Sequence, residues 1–305
     1  MPRCLRLLAA GFLVILSTAS VTGQEYDHAA LAKWRADKET TLKQDNSWLT
    51  VAGLHFLSPG ENRLGRDATN DIVLDFPDVP GEAAVVVLQD RKVSIRALAG
   101  RTIQVNGQQV NEAELKLAGG GKPADLVTFG RVIFFAHYSG PRLALRVRNL
   151  DSPIRTGFTG LKWFDADPAV RVSARYTPYP DAKVIEIPNI LGDLEPFTAV
   201  GTVSFSLGGQ DHTMEAWRSG QRMWFVFRDL TSGRESYPSA RFLYAPMPAA
   251  GPFTLDFNYA ENPPCAYNPY TTCPLPPPQN RLKVRIAAGE KTYQPAAKTS
   301  SASPR

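Results

Sequence analysis

The sequence predicts a mainly β protein, with one helix near the N-terminus followed by two antiparallel β regions. Three observations carry that prediction. Apolar and polar residues alternate at period two through most of the chain, the spacing of half-buried strands. Clusters of Gly, Pro, Asn and Asp interrupt these runs at short intervals, as they do between the strands of sandwiches and barrels. One stretch alone, near the start, repeats at helical spacing.

That stretch is YDHAALAKWRADKETTLK, where Leu31, Trp34 and Leu42 fall near one face and charged residues cover the rest. It places the helix within residues 24–46. The next region, 47–150, opens with a strand over Trp48 to Leu57 that ends at Pro59-Gly60. Short apolar or alternating runs follow at Val85 to Leu88, Val93 to Ile95 and Ile103 to Val105, and Asn106-Gly107 marks a tight turn. In RLALRVR the alternation points Leu143, Leu145 and Val147 inward and Arg142, Arg146 and Arg148 outward.

The second β region, 151–293, holds expected strands at Val170 to Tyr176, Val184 to Ile187, Val200 to Leu207, Thr213 to Arg218, Met223 to Arg228, Arg241 to Tyr244, Phe253 to Phe257 and Leu282 to Ile286. The polar residues 294–305 are expected to be a disordered tail. Residues 1–23 have the layout of a signal peptide: Arg3 and Arg6, then an apolar run from Leu7 to Leu16, then small residues. That run is short of the roughly 20 residues a membrane span needs. The expectation is therefore an exported protein, periplasmic or secreted, with no stable span after cleavage. Losing Arg3 and Arg6 takes the formal charge from +5 to +3, 32 basic against 29 acidic residues. No basic stripe with interleaved aromatics occurs, which argues against nucleic acid as a partner.

Few motifs carry chemistry. The four histidines, His28, His55, His137 and His212, lack the spacing of a helical zinc site, and no metal or cofactor is expected. His55 and His137 lie in apolar strands and read as packed residues. There is no G-x-S-x-G elbow, and the lysine of GGGKP has neither the spacing nor the following Ser or Thr of a phosphate loop. The segment NPPCAYNPYTTCPLPPPQN holds seven prolines and two cysteines. With export expected and two cysteines left in the mature chain, Cys265 and Cys273 are expected to form a disulfide, contributing about 2.5 kcal/mol by chain entropy.

Gly65-Arg66, the run from Asn70 to Leu74, Val105-Asn106-Gly107 and the segment from Asp125 to Gly130 resemble the forkhead-associated β-sandwich. The resemblance implies that fold for 47–150, with Arg66 at the position of the arginine that grips phosphothreonine. Pro80 stands at the serine position, Ala83 at that of a structural histidine and Arg101 at that of the asparagine. Proline offers neither a hydroxyl nor an N–H to a phosphate, so the resemblance implies a scaffold without its usual ligand site.

Around the Pro-rich segment, FRDLTSGRESYPSARFL and LDFNYAENPPC gather Asp229, Glu235, Tyr237, Arg241, Asp256, Asn258 and Asn262, with Asn280 and Glu290 beyond. Two accounts fit such a set. The residues could tie irregular loops to a sheet, or they could line a polar pocket with Arg241 and a carboxylate at its base. These segments, with FTGLKWFDADPAVRVSARYTPYP and WLTVAGLHFLSPGENRLG, resemble the DUF1684 family, a domain of unknown function. Ala240, where a glycine is expected, and Asn149, where an aspartate is common, depart from that pattern. Three functions stay open. The first is a binding or scaffold module with a polar C-terminal pocket for a small polar or anionic ligand. The second is an extracytoplasmic hydrolase using Asp229, Glu235 or Asp256. The third is an envelope structural or adhesion module meeting a protein partner at the Pro-rich loop.

Overall fold

In the computed structural model the described residues are 25–98, 100–119 and 121–295. The expected signal peptide and all but the first two residues of the expected tail lie outside them. Helix α1, His28–Leu42, begins at Asp27, whose carboxylate accepts the Ala30 N–H at 2.8 Å, an N-terminal cap. Leu31 and Leu42 are buried beneath it.

A two-sheet sandwich follows. Its strands are β1 (Val51–Phe56), β2 (Gly60–Gly65), β3 (Ile72–Val73), β4 (Ala84–Gln89), β5 (Lys92–Ala97), β6 (Ile103–Val105), β7 (Gln108–Val110), β8 (Glu112–Leu115), β9 (Val127–Phe129), β10 (Val132–Ser139) and β11 (Arg142–Asn149). One sheet runs β1-β11-β10-β9-β6-β7 and the other β3-β2-β4-β5-β8. Leu64, Val86, Ile95, Phe134, Leu145 and Val147 fill the space between them. The fold is the mainly β, forkhead-associated-like architecture expected from the sequence. Asn106 and Gly107 take positive φ, 50° and 81°, as a two-residue hairpin between β6 and β7 requires.

Three details differ from the sequence reading. Trp48–Thr50 is a 3₁₀ turn, and only Val51 onward is strand. Residues Gly60–Gly65, read as lying past a strand end, form β2. Arg146, expected to face solvent, does point away from the sandwich core but is buried, because the Pro-rich segment covers this face. Its Nε donates to His137 Nε2 at 3.2 Å, and its guanidinium lies 5.3 Å from the Trp48 ring centre.

The C-terminal region is built on one six-stranded antiparallel sheet. Its strands are β12 (Arg171–Pro188), β13 (Leu194–Leu207), β14 (Gln210–Ser219), β15 (Arg222–Phe227), β16 (Arg241–Pro246) and β17 (Gly251–Asp256), in the order β16-β15-β14-β13-β12-β17. The two separate expected strands at 170–176 and 184–187 are one long strand, irregular between Pro178 and Lys183. Strand β17 pairs with β12 only from Arg171 to Tyr176. Past β17 the chain turns through Phe257–Tyr259, and Glu261 exchanges two backbone hydrogen bonds of 2.8 Å with Phe242 of β16. The two edges of the sheet are thereby joined.

Both faces are covered at β15 and β16, so β15 reads as a continuous apolar run rather than an alternation. Phe205, Phe225, Phe227 and Leu255 pack on one face under Leu282, Ile286 and Ala288. Trp217, Val226 and Phe242 pack on the other face under Cys273 and the adjoining Cys265. The expected strand over Leu282 to Ile286 is instead an extended lid joined to β15 by an isolated bridge at Arg228 and Arg281.

Candidate functional site

The polar residues singled out in the sequence are held where coil lies on the sheet. Asp229 follows β15 and Arg241 opens β16, so both face the segment that covers the core. The Arg241 Nη1 donates to Asp229 Oδ1 at 3.3 Å and to the Ile286 carbonyl at 3.0 Å, while Nη2 donates to the Ala288 carbonyl. Asp229 also accepts from Thr231 Oγ1 at 2.8 Å and from the Ile286 N–H at 2.6 Å. Arg241 is 0% exposed. Burial lowers its basicity even with Asp229 beside it. A ligand has no path to this guanidinium.

Asn280 works in the same manner. The ladder between β14 and β15 stops at Trp217 and Trp224, and Asn280 enters the gap beyond it. Its Oδ1 accepts the Glu215 N–H at 2.7 Å, and its Nδ2 donates to the Glu215 and Val226 carbonyls, both at 3.0 Å. Glu290 is set by Gly289, whose φ of +76° and close approach to the Ala260 carbonyl leave no room for a Cβ. The Glu290 carboxylate accepts from the Asn262 N–H (3.0 Å), the Asn262 Nδ2 (2.8 Å) and the Tyr267 hydroxyl (2.8 Å). Burial pushes its pKa up, against the pull of Lys38.

Asp256 and Arg241 share no hydrogen-bond partner. Asp256 accepts from Tyr26 Oη at 3.0 Å and from the Asn258 N–H at 2.9 Å, capping the turn Phe257–Tyr259. Asn258, fully buried, grips both backbone groups of Asp167. Glu235 pairs with Arg285 at the surface, 2.7 Å away. The three carboxylates weighed for hydrolysis, Asp229, Glu235 and Asp256, have three separate sets of side-chain partners.

The expected disulfide is absent: Cys265 and Cys273 are free thiols. The Pro-rich loop is instead tied down by side chains. Tyr267 bonds Glu290, Asn268 donates to the Trp48 carbonyl at 2.8 Å, and Thr272 meets Ser139 at 3.3 Å. Tyr237 donates to the Cys265 carbonyl at 3.1 Å.

Beside this frame lies an open cavity of about 300 Å³, lined by Trp34, Arg222, Tyr244, Tyr259 and Glu261. Trp34 comes from α1 and meets Tyr259 edge-on, with ring centres 5.0 Å apart. Tyr244 lies parallel to Trp224 behind it, at 6.1 Å. The Arg222 guanidinium sits 4.5 Å from the Tyr244 ring centre. Glu261 pairs with Lys38 of α1 at 2.9 Å. Burial, then Glu261, pushes the Tyr244 hydroxyl up in pKa, so it stays protonated and able to donate. Asp256 and Asn258 enter here indirectly, because the turn they cap carries Tyr259. Sequence reading missed all five of these lining residues, Trp34, Arg222, Tyr244, Tyr259 and Glu261. Trp34 read as the inner face of a helix, and Arg222 as an ordinary residue after a turn.

A larger and shallower cleft, about 820 Å³, separates the sandwich from the β12–β13 hairpin, with Leu57, Arg91, Tyr138, Arg142 and Leu194 in its walls. At the position of a forkhead-associated phosphate site, the Arg66 N–H donates to the Pro80 carbonyl at 2.8 Å, and Ala83 is buried in the core. Among the described residues, no group of three or more His, Cys, Asp or Glu could hold a metal ion, and no helix is long and apolar enough to cross a membrane.

Against known proteins, the family described as a protein of unknown function (DUF1684) matches residues 156–291. An uncharacterized protein of Haloarcula marismortui, solved by NMR, is 34% identical over 46% of this chain and 83% of its own, at a TM-score of 0.40. The chain belongs to the DUF1684 family. Two forkhead-associated domains are also similar. One, the FHA-2 domain of the Mycobacterium tuberculosis ABC transporter Rv1747, is 23% identical, covering 47% of this chain and 97% of its own, with a TM-score of 0.22. The other, from a Chlamydia trachomatis protein, is 18% identical, covering 30% and 81%, also at 0.22. No curated protein matches the chain. In this DUF1684 protein the matched family region follows the two-sheet sandwich.

Proposed function

We propose that this DUF1684 protein is an exported binding module whose ligand seat is the aromatic-walled cavity between α1 and the edge of the C-terminal sheet. The observation that carries the reading is the combination of three aromatic rings with Arg222 and Glu261 around about 300 Å³, the lower end of small-molecule sites. The rings suit a planar or aromatic body. Arg222 makes no ion pair among the described residues and is positioned to take a carboxylate or other anion. The ligand class is therefore a small planar molecule bearing an anionic group. The seven polar residues first singled out are assigned to the frame, with Asp256 and Asn258 holding one wall of the seat.

The test is a thermal-shift and tryptophan-fluorescence screen of aromatic carboxylates and nucleotides on the mature protein. Hits should disappear in both Trp34→Ala and Arg222→Ala while the unliganded melting temperature stays within a few degrees. Hits that survive both substitutions would remove the cavity from consideration. Export is tested separately: amino-terminal sequencing of the extracytoplasmic protein should begin near Ser20 or Gln24, and an intact Met1 there would refute it.

A further inference from the structure

A second feature, independent of the ligand seat, is the thiol pair beneath the Pro-rich loop. The Cys265 N–H donates to Cys273 Sγ at 3.2 Å, which brings the two cysteines side by side. They are unequal in access. Cys273 is 1% exposed, packed among Trp217, Val226 and Phe242, whereas Cys265 is half-buried at the margin of that cluster. The loop between them is fixed by contacts that need no bond between the sulfurs: Tyr267 on Glu290, Asn268 on the Trp48 carbonyl and Thr272 on Ser139. The loop that carries both cysteines is therefore held in place whether or not they are joined.

We propose that Cys265 and Cys273 form a reversible thiol–disulfide exchange site for an external disulfide, with Cys265 as the attacking thiol and Cys273 as the resolving one. The electronics agree with that division. The neighbouring Cys273 holds the Cys265 thiol below its ordinary pKa against its partial burial, favouring the thiolate. Burial first, then Cys265, pushes the Cys273 thiol well up, keeping it protonated and unreactive until a sulfur is presented to it.

The exchange balances with an external disulfide R–S–S–R as the oxidant. The Cys265 thiolate attacks one of its sulfurs, the S–S bond breaks, and one RS⁻ leaves as a mixed disulfide forms. Cys273 then gives up its proton, attacks the Cys265 sulfur, and the second RS⁻ leaves. The protein loses two thiol protons and two electrons, and the external disulfide is reduced to two RSH. The reverse sequence, driven by an external thiol, restores both cysteines.

The test uses the mature chain with oxidised and reduced glutathione, read by mass after acid quenching and alkylation. Wild type should lose two thiols without a lasting adduct and recover both in reduced glutathione. Cys273→Ser should carry one glutathione, and native Cys265→Ser none. In case either variant folds poorly, native iodoacetamide labelling of the reduced wild type gives a second reading: Cys265 should react at least about tenfold faster than Cys273. A lasting adduct on wild type, equal labelling of the two cysteines, or a bridge that opens only in denaturant would each overturn the proposal.

Discussion

In the sandwich, buried polar side chains tie down turns or, at Arg146 and His137, pair with each other: Asn62 bonds both backbone groups of Ser58, and Asn70 bonds the Asp67 and Gly81 carbonyls. In the C-terminal region they stand where coil lies on a sheet: Arg241 under Ile286 and Ala288, Asn280 between β14 and β15, Asn262 and Glu290 beside the Pro-rich loop. The difference follows from construction. Two sheets facing each other each satisfy their backbone groups along their own ladders. Irregular chain laid over a sheet brings carbonyls and N–H groups that only side chains can satisfy, and leaving them unmet costs about 1–3 kcal/mol each. The buried side chains Arg241, Asn258, Asn262, Asn280 and Glu290 mark where coil has been buried there.

The sharpest way to break this comparison is Arg241→Leu. It strands Asp229 as a buried, uncompensated charge and frees two carbonyls, so the loss should be about 3–5 kcal/mol in urea unfolding. A loss below about 1 kcal/mol would mean that the guanidinium is not part of the frame.

The next largest effect is pH-dependent and belongs to the joint between the regions. His137 is held neutral, its pKa lowered to about 4 by burial first and Arg146 second. The folded state binds this proton less well than the unfolded chain does, so its contribution is present above the ordinary histidine pKa. It is lost as pH falls from about 6.5 towards 4, on the order of 3 kcal/mol. Unfolding curves at pH 7.5 and 4 should show a smaller acid loss in His137→Gln than in wild type. An identical loss would place the acid sensitivity elsewhere.

Asn280→Ala removes the three bonds that fill the gap beyond Trp217 and Trp224, and should cost about 2 kcal/mol. Hydrogen exchange at Glu215 should rise with it, whereas the sandwich amides should not respond. The smallest effect on stability is expected from Arg222→Ala, within about 0.5 kcal/mol, since the side chain is exposed. Its effect should appear in ligand binding alone.

The same comparison explains what the sequence reveals. In β11 one face meets a single core, so RLALRVR alternates and Leu143, Leu145 and Val147 are legible as inward. Asn106-Gly107 is legible because two successive positive φ values restrict the residues that fit. Arg146 also alternates outward, but its burial depends on a loop more than a hundred residues away, which no local pattern records. Leu282 to Ile286 has a strand's apolar spacing and lies as a lid, since spacing reports burial and not pairing. The polar cluster is conspicuous for its composition, yet whether Arg241 faces ligand or carbonyl is decided by Ile286 and Ala288 arriving over it. The cavity is quieter still: Trp34, Arg222, Tyr244 and Glu261 come from four separate stretches and carry no shared spacing.

Strand β12 runs well beyond its partner β17, so between residues 179 and 187 one of its edges has no strand beside it among the described residues. An open edge of this length is a template on which another chain could add and aggregation could begin. Here Pro178 and Pro180 remove N–H donors, the irregularity before Lys183 bends the strand, and Asp181 and Lys183 put charge on it. The longest strand of the molecule therefore carries its own protection against self-association.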